Sequence, residues 1–174
     1  AYQLGMLEVL VEQHDFQIIR GVSAGAINAV VLAQAETGPG SHDNLRAQLK
    51  QLEQLWLHDI RGPQSVFRKR LFGKLATLFW ADSLYTIEPV HALMRKYVSL
   101  ERLRRSGRDF EVGAVSLVTG RYASYGPDDP HFMDKLVASM SLPPVFPPVE
   151  VKDEADVLVD GGMRTITPLA SAFE

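Results

Sequence analysis

The sequence contains no cysteine, no apolar run long enough to cross a membrane and no large excess of charge of either sign. The lack of cysteine excludes a disulfide scaffold, a thiol nucleophile and a thiolate metal site. Every apolar run falls short of the about 18 residues that a membrane-spanning helix needs. The formal net charge of −3 provides no basic footprint, so we expect no nucleic-acid partner.

What is present suits one globular domain with a sizeable core. The chain has 174 residues, of which 46% are hydrophobic and 22% charged. It opens "AYQLGML", without an initiator methionine, so we expect it to be a segment of a longer protein.

Hydrophobic periodicity predicts helices and strands in alternation, and therefore an α/β fold with parallel strands. A helix ending near His14 precedes a strand, and a buried helix follows Ser23. The Pro-rich "LPPVFPPV" can be neither helix nor central strand. The strands are predicted at residues 16–20, on both sides of residues 119–121, and at residues 157–159; further helices are predicted within residues 44–60, 87–98 and 132–141.

The stretch "GVSAG" places Ser23 between Gly21 and Gly25, after a predicted strand and before a predicted helix. A G-x-S-x-G pattern in this context is typical of a nucleophilic serine on a sharp turn, where the flanking glycines permit close packing. The amide of Ala24 would begin the helix and is a lesser candidate donor to an oxyanion. A helix N-cap serine is the alternative interpretation.

A nucleophilic serine needs a base, and no histidine follows Asp160 in the chain. His42 and His58 lie in or beside polar segments typical of surface histidines. Asp160 ends a predicted strand and precedes Gly161 and Gly162, whose turn would hold the carboxylate near another loop. A simple strand-end Asp-Gly turn is the alternative.

Three motifs in the same order resemble the patatin-like phospholipase family. They are "GVSAGAINA", "ASMSLPPVFPPV" and "VLVDGGMRTITPLASA", and "AYQLGMLEVLVE" and "VSLVTGRYASY" resemble further parts of that family. The resemblance covers nearly the whole chain and implies a three-layer α/β/α sandwich with a mainly parallel central sheet.

The resemblance also implies the chemistry. Ser23 would be the nucleophile and Asp160 the base of a dyad that hydrolyses acyl esters of lipids through an acyl-enzyme, with no histidine, metal or other cofactor. We expect a single catalytic domain over residues 1–174. We also expect it to lack the strand and glycine-rich oxyanion loop that precede it in the family, and the C-terminal end. The nearest cluster of metal-ligand side chains, Asp128, Asp129 and His131, is typical of a solvated loop.

A membrane surface is the expected source of the lipid. Within residues 66–80, the basic Arg68, Lys69, Arg70 and Lys74 alternate with aromatic residues that include Trp80. Such a mixture suits an interface with anionic headgroups. A helix that covers the core with a solvated basic side is the alternative. We expect a location that is cytoplasmic or peripheral to a membrane.

Two other functions are also compatible with the sequence. An esterase of the α/β-hydrolase type, with its histidine outside this segment, would keep the serine but not the dyad. A patatin-like scaffold used for binding or storage would keep the pocket without the activity.

Overall fold

The computed structural model describes residues 2–62, 65–66, 68–69 and 85–173. The helices in this part of the chain are α1 (Tyr2–Gln13), α2 (Ala24–Leu32), α3 (Ser41–Glu53), α4 (Glu88–Tyr97), α5 (Leu100–Arg105), α6 (Phe132–Ala138) and α7 (Ala170–Phe173). The strands are β1 (Ile18–Gly21), β2 (Arg68–Lys69), β3 (Tyr85–Thr86), β4 (Asp109–Ser116), β5 (Tyr122–Tyr125), β6 (Val149–Val151) and β7 (Asp156–Asp160). A π-helical turn, Gln54–Asp59, continues α3, and a 3₁₀ turn, Gly161–Met163, follows β7.

The main sheet is mixed, so the α/β class is confirmed while the mainly parallel arrangement is wrong for the described strands. Strand β1 pairs with β4 in parallel, whereas β4–β5, β4–β7 and β6–β7 are antiparallel. The connections give the reason for two of the three antiparallel pairs. Short turns join β4 to β5 and β6 to β7, and a short turn can join only antiparallel neighbours. Strands β2 and β3 form a separate antiparallel pair.

The carboxyl ends of β1 and β7 meet beside the middle of β4. Strand β1 pairs with the first half of β4, ending at Gly21 opposite Val112. Strand β7 runs in the other direction along the second half of β4, ending at Asp160 opposite Ala114. The two chain segments that follow these strands therefore leave the sheet close to each other.

Helix α2 lies at the centre of the hydrophobic core. Its side chains are small or β-branched and almost all apolar, and they pack between strands β1 and β4 and helix α3. Several side chains of α2 and α3 are completely buried, among them Val30, Val31, Leu45 and Leu52. This packing on two sides explains why α2 is apolar all round rather than amphipathic.

The other face of the sheet is polar where β1 adjoins β4. The Arg20 guanidinium forms an ion pair with Asp109 and reaches Glu111 at 3.3 Å. Its Nε also donates to the Ser171 carbonyl oxygen, which holds α7 on this face. Helices thus lie on both faces of the sheet, with α2 on one and the short α7 on the other.

The predicted membrane-contact segment lies mostly outside the described residues. Of its basic residues and Trp80, only the backbone of Arg68 and Lys69 is described, as strand β2, and Arg70, Lys74 and Trp80 lie outside. Within the ranges that are described, no helix is long and apolar enough to span a bilayer.

Candidate active site

The turn between β1 and α2 requires a glycine at its start. A Cβ atom on Gly21 would lie 2.6 Å from the Ala29 Cβ and 2.8 Å from the Ala26 Cα. Real Cβ atoms do not tolerate such contacts, so only glycine lets the helix cross the strand this closely. The crossing turns the chain sharply and projects Ser23 from the end of the strand.

Ser23 adopts a backbone conformation that most residues avoid. Its φ of 57° and ψ of −134° lie in a region costly for a residue with a Cβ. The Ser139 carbonyl oxygen and hydroxyl oxygen both accept from the Ser23 amide, at 3.0 and 3.2 Å. These bonds hold the strained turn in place.

The side chain of Ser23 does not cap the helix. It makes no hydrogen bond to the first-turn amides of α2, although Ser23 occupies the N-cap position. The Ser23 Oγ donates instead to the Asp160 Oδ2, at 2.6 Å. The capping interpretation of this serine is therefore wrong, because the hydroxyl is used by a carboxylate 137 residues away.

Asp160 is held by three hydrogen bonds at the end of β7. Its Oδ2 accepts from Ser23, and its Oδ1 accepts from the Gly162 amide at 2.7 Å. Its own amide donates to the Ser141 carbonyl oxygen. The residue is only 2% exposed, so little water competes for the carboxylate. It does form the expected strand-end turn, but the same carboxylate also bonds the serine.

An apolar cavity of about 190 Å³ opens beside Ser23. Helix α2, the π-helical turn, helix α4 and the Pro-rich segment enclose it. Its lining residues are Ser23, Ala24, Ile27, Leu55, Trp56, Ile60, Val66, Val90, Leu93, Met94, Met140 and Phe146. No histidine is among these described lining residues, and the ring of His42 contacts the Val11 carbonyl oxygen elsewhere. The serine therefore faces an apolar space on one side and a buried carboxylate on the other.

A family model of the patatin-like phospholipases matches residues 1–173. The chain belongs to the patatin-like phospholipase family. At the level of the family this makes the protein a lipid hydrolase, with lipids as the class of substrate. A search of curated proteins found no match.

The D-G-G turn of this patatin-like chain packs against β4 through a second glycine contact. A Cβ atom on Gly161 would lie 2.4 Å from the Gly113 carbonyl oxygen. A Cβ atom on Gly113 would in turn overlap the Tyr122 ring. Glycine at both positions thus lets the turn, β4 and β5 approach closely enough to fix Asp160.

The remaining motif residues of the patatin-like chain differ in how tightly they are packed. Ala24 is exposed and is the first residue of α2, where a helix leaves its amide without an intrahelical acceptor. Among the described neighbours, the nearest atom to a Cβ on Gly25 would be the Gln3 Oε1, at 4.0 Å. The predicted close packing therefore applies to Gly21 and not to Gly25 in this part of the chain. Gly162 contributes its amide to Asp160.

The structure brings Ser23 and Asp160 together, while their roles as nucleophile and base stay a prediction. Sequence reasoning missed Ser139, whose carbonyl and hydroxyl oxygens hold the Ser23 amide, and Trp56, which lines the cavity. Only their positions in three dimensions reveal these contacts, because the motif that contains Ser139 does not indicate what it bonds, and Trp56 belongs to no motif.

The acidic loop around residue 128 is built from local contacts. Asp128 forms an ion pair with Arg104, and Asp129 accepts from the Gly126 amide. Within the described ranges, no group of three or more histidine or acidic side chains is arranged to hold a metal ion.

Proposed function

We propose that this protein is a lipid acyl hydrolase that cleaves carboxylic esters, with Ser23 as nucleophile and Asp160 as general base. The observation that carries the proposal is the 2.6 Å hydrogen bond from the Ser23 hydroxyl to the Asp160 carboxylate. A nucleophilic hydroxyl needs a base within hydrogen-bond reach of its proton, and Asp160 meets this requirement.

The proposed reaction has two halves. Ser23 Oγ attacks the acyl carbonyl carbon while its proton passes to Asp160 Oδ2. The tetrahedral intermediate collapses, the ester C–O bond breaks, and the proton on Asp160 passes to the departing alcohol or lysolipid. Water then attacks the acyl-enzyme, Asp160 accepts its proton, and the regenerated Ser23 takes that proton as the fatty acid leaves.

The surroundings of Ser23 support this reaction. The apolar cavity beside the hydroxyl suits an acyl chain, because its walls are almost entirely hydrocarbon. The Ala24 amide at the positive end of α2 is proposed as one donor to the oxyanion. The strained backbone of Ser23 keeps the hydroxyl directed at Asp160 before the substrate binds.

The direct contact favours the dyad over an esterase that uses a histidine. In such an esterase the imidazole would stand between serine and carboxylate, whereas here the two touch. A family member used only for binding would retain this geometry, so a measurement of activity has to separate that alternative.

The test uses the full-length native protein and a fluorophosphonate probe, which phosphonylates an activated serine and releases fluoride. We expect mass spectrometry to find the label on Ser23. We also expect Ser23→Ala and Asp160→Asn to lower the release of fatty acid from phospholipid vesicles and from a soluble ester by about 10⁴-fold or more. Circular dichroism checks that both variants fold.

Asp128→Asn is the matched control, because this carboxylate is exposed and lies in the acidic loop. Its activity should equal that of the wild type. Full activity in Asp160→Asn would contradict the assignment of the base and favour a histidine. An inactive, unlabelled wild type would contradict the hydrolase and favour a binding scaffold.

A further inference from the structure

A polar side chain interrupts the apolar helix α2 next to the cavity. Asn28 is 7% exposed and lies among buried aliphatic residues of that helix. Burying an amide is costly unless its hydrogen bonds are satisfied, and asparagine is a weaker helix former than alanine. An apolar residue would suit the core better at this position, so Asn28 has to be explained by what it contacts.

Asn28 links two side chains from other elements. Its Oδ1 accepts from the Trp56 Nε1 at 2.7 Å, and its Nδ2 donates to the Gln3 Oε1 at 2.7 Å. Gln3 belongs to α1 and Trp56 to the π-helical turn. Gln3 thus orients the side-chain amide of Asn28, and this amide in turn holds the indole ring of Trp56.

Trp56 is a wall of the cavity that opens at Ser23. Its indole nitrogen donates to Asn28, which lies five residues beyond Ser23 along α2. At a helical rise of 1.5 Å per residue, residue 28 lies about 7.5 Å further than Ser23 along the axis of α2. A fully extended chain advances about 1.2 Å per bond, so an acyl chain following α2 would reach Trp56 after about six bonds.

The volume of the cavity agrees with this length. It measures about 190 Å³, whereas a cavity of about 150 Å³ in another protein holds one benzene molecule. The apolar space described beside Ser23 thus matches a short hydrocarbon chain, and Trp56 is an aromatic wall that a longer chain would meet.

We propose that Trp56 sets the length of acyl chain that the site accepts and that Asn28 is the residue that positions its ring. The proposal rests on the function proposed above, because it assigns the cavity to the acyl group that Ser23 attacks. Trp56 would contact the substrate, whereas Asn28 acts through the indole alone.

The first experiment measures kcat/KM for p-nitrophenyl butyrate, octanoate, dodecanoate and palmitate. We expect Trp56→Ala to raise the palmitate-to-octanoate ratio by about tenfold or more, since each methylene that gains a place in an apolar pocket favours binding. Asn28→Leu, which retains volume and removes the acceptor, should raise the same ratio by a smaller factor. Leu57→Ala is the control, because this neighbour in the same turn is exposed and should leave the ratio unchanged.

The second experiment detects the chain without any turnover. Residues 1–174 contain two tryptophans, so Trp80→Phe, together with replacement of any tryptophan outside these residues, leaves Trp56 as the only one. A fatty acid that carries bromine about six bonds from its carboxylate should quench the Trp56 fluorescence more strongly than one brominated near its methyl end. Asn28→Leu in the same background should weaken this dependence on position.

The outcomes separate the two proposals. Position-dependent quenching by a protein that hydrolyses no ester would support the role of Trp56 and overturn the hydrolase. Ester hydrolysis with an unchanged chain-length ratio, or quenching that does not depend on bromine position, would overturn the role of Trp56. If Trp56→Ala fails to fold, Trp56→Phe tests the hydrogen bond, and the quenching experiment is unaffected because it keeps the indole.

Discussion

Glycine has different functions at the motif positions of this protein. At Gly21 and Gly161 the missing side chain permits a backbone contact that no other residue allows. At Gly162 the amide is what matters, since it donates to Asp160. At Gly25 the described neighbours leave room for a methyl group. Glycines of the same motif, such as Gly21 and Gly25, therefore differ in their importance for the fold.

Gly161→Ala should destabilise the protein, because its Cβ would lie 2.4 Å from the Gly113 carbonyl oxygen. We expect a loss of about 1–3 kcal/mol in the free energy of unfolding, as for other overpacked sites. Activity should also fall, since the turn that carries Asp160 would shift. Urea denaturation measures the first effect and ester hydrolysis the second.

Gly25→Ala is the comparison for Gly161→Ala. We expect it to change the free energy of unfolding by no more than about 1 kcal/mol in either direction. Equal stability losses in the two variants would show that the contact at Gly161 is not special.

The helices that line the cavity are tied together away from the active site. Asp59, the last residue of the π-helical turn, accepts from the Lys96 Nζ at 2.5 Å and from the Tyr97 hydroxyl at 2.6 Å. Both donors lie at the end of α4. These contacts set the distance between the turn that carries Trp56 and the helix opposite it. The hydrogen bond from Lys96, followed by that from Tyr97, lowers the pKa of Asp59 to about 2.

This lowered pKa predicts how stability depends on pH. A carboxyl group whose pKa is lower in the folded state stabilises the protein above its unfolded pKa. That contribution is lost as the pH falls through the folded pKa, here from an ordinary value of 3.8 to about 2. We expect Asp59→Asn to be less stable than the wild type near neutral pH, and we expect the difference to shrink with falling pH and to vanish below about pH 2, as measured by urea denaturation. NMR titration of the Asp59 carboxyl carbon checks the pKa itself, and an ordinary value would contradict the prediction.

At the scale of single elements, the sequence predicts those helices and strands that have strong local signals. Helix α1, helix α4 and the strands on both sides of residue 120 were predicted nearly at their observed positions, because periodic side chains and turn residues are local signals. The π-helical turn was not predicted, since its side chains continue the amphipathic pattern of α3. Strand β6 begins at the end of the Pro-rich segment and has an outer position in the sheet, where the missing amide hydrogens of proline are tolerated.

At the scale of the whole molecule, contact with a lipid surface remains a prediction. The net charge of −3 does not attract the protein to anionic membranes, so any attraction has to come from a local basic cluster. Residues 66–80 contain such a cluster in the sequence, although the side chains of its four basic residues lie outside the described part of the chain.

Replacing Arg68, Lys69, Arg70 and Lys74 together by glutamine should weaken binding to anionic vesicles by about a hundredfold or more. Hydrolysis of a soluble short-chain ester should be unchanged, because the dyad and the described lining of its cavity are not altered. Vesicle sedimentation measures the binding, and zwitterionic vesicles serve as the control. Unchanged sedimentation with anionic vesicles would assign these residues to an ordinary solvated surface.

The sequence by itself determined the features that depend on neighbouring residues: the helices, most strands, the glycine before Ser23 and the turn after Asp160. Tertiary structure decided the rest. The antiparallel direction of β7, the bond between Ser23 and Asp160, and the position of the Trp56 indole on Asn28 all depend on how distant segments pack. The physical reason is that local stereochemistry limits a residue and its near neighbours, whereas a contact across 137 residues exists only once the whole sheet has formed.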